Sequence, residues 1–121
     1  MKVLLSIKPV FALKIFEGTK RYEFRKNIFK KNVEIVVVYA SSPVQQVIGE
    51  FEIKDILHDD LESIWHETNL YSGISRDFFN SYFINKEKAY AIEIGNLKKY
   101  KQPLLLSDFK LNFAPQSYIY I

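Results

Sequence analysis

The stretch Gly18 to Arg25, reading G-T-K-R-Y-E-F-R, concentrates the side chains of this chain best suited to chemistry. Lys20, Arg21, Glu23 and Arg25 alternate with aromatic residues directly after a glycine placed to stop a helix. On a strand, alternate side chains share a face, so Arg21, Glu23 and Arg25 are expected together, with Tyr22 and Phe24 opposite. Lys20 is out of phase with Glu23 and belongs to the preceding turn, from which it can swing back toward the carboxylate. A buried ionic cluster is costly unless its members pair with one another or with a ligand. The plain alternative is an edge strand with a solvated charged face.

Each member has a chemical role to weigh. Lys20 can contact phosphate, or act as a general base if its pKa falls toward neutrality. Arg21 and Arg25 push it down and Glu23 pushes it up, which favours a charged, anion-binding lysine. Arg25 offers a planar donor fork to a phosphate or a base edge, or else a structural pair with Glu23. Glu23 can accept from the exocyclic amine of a base, or take a proton. Lys8, just before a helix start, can join a basic site or, as a lone lysine, simply be solvated.

Further along, Ser41 and Ser42 follow a buried strand, where their hydroxyls can meet phosphate or simply form the turn before Pro43. Neither lies in a nucleophile elbow, which argues against a serine hydrolase. Tyr71 and Tyr90 are candidate stacking partners for a base, with the core the better reading for Tyr90. His58, Asp59 and Asp60 are adjacent and point apart, and Asp59 reads as a helix cap. No metal and no other cofactor is expected. No phosphate-cradling glycine loop or dinucleotide fingerprint is present.

The elements that must hold these groups come from a chain of 121 residues, the size of one domain with its own core. Hydrophobic residues at 48% and charged residues at 26% exclude a disordered chain. Ten Phe, eight Tyr and one Trp point to half-buried sheet surfaces packed with rings. The absence of cysteine removes disulfides, thiolate catalysis and cysteine metal sites, and fits a cytoplasmic location. No stretch is apolar enough to span a membrane, and the opening residues do not form a signal peptide. The net charge of +3 is modest but uneven. Residues 1–31 hold nine Lys or Arg against Glu17 and Glu23, whereas 50–67 is acidic. A molecule with one basic side follows.

Val3 to Ile7 reads as a strand, and Pro9 suits the first turn of a helix that ends at Gly18. Tyr22 to Arg25 is the second strand. Val33 to Ala40, nearly all β-branched, is expected to be covered on both faces. Val47 to Lys54 alternates as a half-exposed strand with a bulge or bend at Gly49. Asp59 with Glu62 resembles a capping box for a helix buried through Leu61, Ile64, Trp65 and Thr68. Ser75 caps a third helix with Phe78, Phe79, Tyr82 and Phe83 inward. Ala89 to Gly95 is a strand, Pro103 interrupts an extended segment, and Ser117 to Ile121 closes the chain. Consecutive strands with segregated helices make an α+β domain of about six strands and three helices, best satisfied by a small, partly closed barrel.

G-T-K-R-Y-E-F-R matches the G-x-K-x-x-E-x-R signature of the ASCH domain, a branch of the PUA-like superfamily, and sits after the first helix as it does there. S-I-K-P at Ser6 to Pro9, Y-A-S-S-P-V at Tyr39 to Val44, Y-S-G-I at Tyr71 to Ile74 and A-P-Q-S-Y at Ala114 to Tyr118 are similar as well. The resemblance spans essentially the whole chain. It implies a single domain over residues 1–121, with a PUA-like β-barrel flanked by helices and a basic cleft for RNA or a nucleotide or nucleoside. Gln116 and Ser117 join the candidate ligand contacts through it. Some family members deacetylate N4-acetylcytidine and some are described as ribonucleases. Lys20 occupies the lysine position of the deacetylases. Their threonine position carries Glu23, which counts against that activity. The site expected is therefore Lys8, Lys20, Glu23, Arg25, Ser41, Ser42, Tyr71, Gln116 and Ser117 for binding RNA or a nucleoside. An enzyme would use Lys20 and Glu23 as its catalytic pair.

Overall fold

A computed structural model describes all residues 1–121. Strand β1 (Lys2–Ile7) is apolar on both faces and runs parallel to β3 (Ile35–Ala40), the other fully covered strand. Between them the chain forms helix α1 (Pro9–Glu17) and strand β2 (Tyr22–Arg25). Then come β4 (Gln46–Asp60), α2 (Leu61–Thr68), α3 (Arg76–Tyr82), β5 (Lys88–Leu104) and β6 (Tyr118–Tyr120), with single 3-10 turns at Asn69–Tyr71 and Leu106–Phe109. The six strands form one sheet in the order β2-β5-β4-β3-β1-β6.

The sheet curls into a half-barrel because β4 and β5 are long and irregular. Their pairing slips between Val47 and Gly49, between Phe51 and Ile53, and between Ile53 and Asp55, and each slip adds local twist. Gly49 fits this: a side chain there would strike the Phe16 ring and the Lys98 carbonyl. The concave face closes over α1, with Val3, Leu5, Val36, Val38 and Phe51 packed on Ala12 and Ile15. The opposite face, through Leu4, Val37, Tyr39 and Val47, is covered by Leu104, Leu106, Phe109 and Ile119. A third cluster seats α2 and α3 on β2 and β5 through Phe24, Ile64, Phe79, Phe83, Ala89 and Ala91.

Three local features differ from the sequence reading. Strand β4 runs to Asp60, well past Lys54, because its bulges destroy the two-residue alternation that marks a strand. Asp60, not Asp59, caps α2, accepting from the Ser63 amide at 2.9 Å. Pro103 lies inside β5, near its end, in an irregular stretch of the pairing where a missing N–H costs little.

The two sheet edges, β2 and β6, approach each other. The Arg25 guanidinium donates to the Ser117 hydroxyl. The connection after β2 plugs the seam, with Phe29 buried edge-on against Tyr118 at 4.9 Å. This near-closure places the end of β2 beside the end of β1, and there the candidate site lies.

Candidate functional site

Gly18, at φ +88°, ends α1 in the left-handed conformation that an L side chain rarely adopts. The chain then turns tightly, with the Thr19 and Lys20 amides both donating to the Lys14 carbonyl at 3.1 Å. Arg21 is fixed on both sides: its amide donates to the Tyr71 carbonyl at 2.8 Å, and its carbonyl accepts from Ile94 at 2.9 Å. This bracing drives the Lys20 side chain into the protein, where it is only 2% exposed. Its ammonium donates to the Ser72 carbonyl at 2.6 Å and lies 4.9 Å from the Phe24 ring centre and 5.2 Å from that of Phe11. Ring faces carry negative charge, so two of them partly replace the water that the ammonium has lost.

The segment that receives Lys20 is shaped to it. Gly73 has φ +70°, and a Cβ there would stand 2.7 Å from the Cβ of Lys20. Ser72 is buried and its hydroxyl donates locally, while the Lys14 ammonium donates to the Gly73 carbonyl at 2.9 Å. The Y-S-G-I stretch is thus a cradle for the lysine.

Glu23 on β2 is also buried, and Arg25 approaches it at 3.7 Å. Burial lowers the Lys20 amine from 10.5 to about 8, against the attraction of Glu23 and aided by the Lys14 charge. Burial pushes the Glu23 carboxyl up, opposed by the charges of Lys20 and Arg25. The two shifts bring an acid and a base toward each other in protonation strength, as proton exchange requires.

Lys20, Glu23 and Arg25 open onto a cavity of about 580 Å³, within the range of small-molecule sites. Lys8, Ser41, Ser42 and Gln116 line the same cavity, Lys8 lying 5.8 Å from the Phe78 ring centre. Ser117 stands behind the lining as the partner of Arg25, and the Pro115 carbonyl accepts from the Ser6 hydroxyl at 2.7 Å, which ties the C-terminal segment to the rim. Two residues of the opening stretch or its surroundings go elsewhere. Tyr71 does not line the cavity; its ring lies under the Arg21 guanidinium at 4.4 Å. Arg21 leaves the face of Glu23 because the strand begins only at Tyr22. His58 stacks flat on Tyr90 at 3.9 Å, outside the cavity.

The sequence reading missed the aromatic wall. Phe78 and Tyr82, expected to be inward with Phe79 and Phe83, line the cavity together with Phe11, Phe24 and Tyr39. Phe79 and Phe83 fill the core beneath α3, and Tyr82 packs partly against the same cluster. The signal was present: two aromatic pairs on one short helix make a stripe too wide for one core-facing seam.

A curled half-barrel with a Lys–Glu–Arg cluster at its seam, its Lys20 and Glu23 buried, defines the class of the protein. The chain belongs to the ASCH domain family, whose family model matches residues 5–98. Crystal structures of ASCH from Zymomonas mobilis superpose with a TM-score of 0.90 at 28% identity, covering 99% of this chain and 87% of that one. A tyrosine-to-phenylalanine mutant of that protein gives the same TM-score at 27% identity, covering 99% and 89%. A Zymomonas mobilis protein named ASCH domain-containing ribonuclease is 28% identical over 94% of this chain and 79% of its own length. Two Ureaplasma parvum proteins also match over 98% of this chain: ATP synthase subunit alpha at 32% identity and large ribosomal subunit protein uL22 at 29%. The chain spans only 15% and 39% of the length of those two relatives. No helix is long and apolar enough to cross a membrane.

Proposed function

We propose that this domain binds RNA through a single nucleotide held in the 580 Å³ cavity. The observation that carries the reading is the make-up of the cavity lining. Its rings, Phe11, Phe78 and Tyr82, suit an unstacked base. Lys8, Arg25, Ser41 and Ser42 line the same cavity among them, and suit sugar and phosphate. Glu23 supplies an acceptor for a base amine, and Lys20 a buried donor. The likeness to a relative named as a ribonuclease supports RNA as the ligand class.

A titration of a short RNA and of single nucleotides, followed by fluorescence or calorimetry, tests this. Lys20→Met keeps the stem between Phe11 and Phe24 and removes the charge, and should weaken binding at least tenfold. Lys54→Ala, on β4, is the control. Unchanged affinity in a folded Lys20→Met protein would sink the reading.

A second reading, RNA cleavage, is favoured by one observation: the Lys20 amine is lowered to about 8 while the Glu23 carboxyl is raised. Neutral Lys20 takes the proton of a ribose 2′-hydroxyl as that oxygen attacks the adjacent phosphorus. Protonated Glu23 then gives its proton to the departing 5′-oxygen, leaving a cyclic phosphate and a free hydroxyl. Cleavage should follow a bell-shaped pH profile, rising through the pKa of one of the two groups and falling through that of the other, and should vanish when the 2′-hydroxyl is replaced by hydrogen. Turnover of N4-acetylcytidine without RNA cleavage would instead make the site an amidohydrolase.

A further inference from the structure

Beyond the cavity mouth, the seam between β2 and β6 carries cations and rings in sequence. Lys26 lies 4.8 Å from the ring centre of Tyr82, which is itself a cavity wall. Next come Arg25 and its Ser117 partner. Tyr118 and Tyr120 follow with ring centres 5.6 Å apart, and the Tyr120 hydroxyl accepts from the Lys30 and Lys31 amides at 3.0 and 3.2 Å. Lys31 closes the series, 4.9 Å from the Tyr120 ring centre. Lys26, Lys30 and Lys31 are exposed. Neither bank of the seam, residues 24–33 or 109–121, contains an aspartate or glutamate. Elsewhere cations and carboxylates meet across strands, as where Lys54 meets Glu93 at 3.6 Å.

We infer that this seam is the path of the RNA strand flanking the bound nucleotide, with its phosphates on Lys26, Lys30 and Lys31. The inference rests on the reading of the cavity as a nucleotide site and adds a direction to it. Three features select a single strand. Several cations along one seam can meet several phosphates, the half-buried rings of Tyr118 and Tyr120 leave apolar edges for bases, and neither bank supplies a carboxylate to repel them. The backbone hydrogen bonds that Tyr120 accepts hold the lysine-bearing loop in place without ligand, so little ordering cost remains.

The experiment compares a mononucleotide with an eight-nucleotide single-stranded RNA, over a salt series, in wild type and three variants. Wild type should bind the oligomer at least tenfold more tightly than the mononucleotide. Lys30→Ala/Lys31→Ala should lose most of that gain and leave the mononucleotide unaffected. Its salt slope for the oligomer should be shallower by about 1.4, at ~0.7 for each phosphate contact on a single strand. Lys98→Ala/Lys99→Ala removes the same charge from exposed positions of β5 and should change little. Equal affinities for mononucleotide and oligomer, an unchanged salt slope, or equal losses in both lysine pairs would each overturn the seam path. Lys20→Met separates the two proposals. Oligomer binding that responds to Lys30→Ala/Lys31→Ala but not to Lys20→Met would keep the path and discard the cavity.

Discussion

Lys20 stands between two hollows of nearly equal size, about 580 and 570 Å³, and they differ in almost everything else. The first is walled by rings and contains the buried Glu23 with its Arg25 partner. The second is lined by Arg21, Glu52, Lys54, Glu93 and Asn96. Its ions face solvent: the Lys54 side chain of the Lys54–Glu93 pair is 68% exposed, and Asn96 donates to Glu52 at 3.1 Å. Volume therefore says little about function. In the first hollow Lys20 and Glu23 are buried, so the loss of water shifts their protonation and each charge partly opposes the other's shift. In the second, water and salt screen the same types of residue, and ion pairs there contribute little.

The contrast can be broken most directly at the two glutamates. Glu23→Ala leaves the buried Lys20 and the half-buried Arg25 without their counter-charge and should cost about 3–5 kcal/mol in denaturant unfolding. Glu93→Ala, in the second hollow, should cost no more than about 1 kcal/mol. Equal losses at both positions would mean that the first cluster is as well solvated as the second.

Two glycines give the next largest difference. Gly18 and Gly73 both have positive φ, but only Gly73 has a neighbour where a Cβ would go. Gly73→Ala should cost roughly 2–4 kcal/mol through strain and overlap with Lys20, and should also weaken nucleotide binding. Gly18→Ala should cost about 1 kcal/mol and spare binding. Thermal melts with a binding assay on both variants check this.

A smaller effect is the pH dependence of stability. The folded Lys20 amine releases its proton at about 8 rather than 10.5, so between those values the unfolded chain binds more protons. Stability attributable to Lys20 should therefore rise from pH 8 to about 10.5, and that rise should be absent in Lys20→Met. Titration of the Lys20 side chain by NMR should show a midpoint at about 8. The smallest expected change is Lys54→Ala, within about 0.5 kcal/mol.

Helix α1, β2, β3 and the order of elements were legible because each carries a local signal: a proline start, a glycine stop, alternation, or an unbroken β-branched run. The candidate site was legible in part for the same reason, since Lys20, Glu23 and Arg25 lie within six residues. The remainder was not. Nothing near Tyr71 in the sequence says that Arg21 covers its ring, and nothing in Ser72-Gly73 says that this backbone receives the Lys20 ammonium. Phe78 and Tyr82 differ from Phe79 and Phe83 by one position, and only the placement of α3 against β2 and β5 decides which pair meets the cavity.

By itself the sequence determined the residue types of the ionic cluster, the uneven charge of the chain and the alternation of helices and strands, since all three follow from short-range chemistry. Tertiary structure alone decided that β2 and β6 meet at the seam, so that Lys8, Ser41 and Gln116 line one cavity with Lys20. It also decided how far burial moves the protons of Lys20 and Glu23. Distance through space and access of water set those properties, and both depend on residues far apart along the chain.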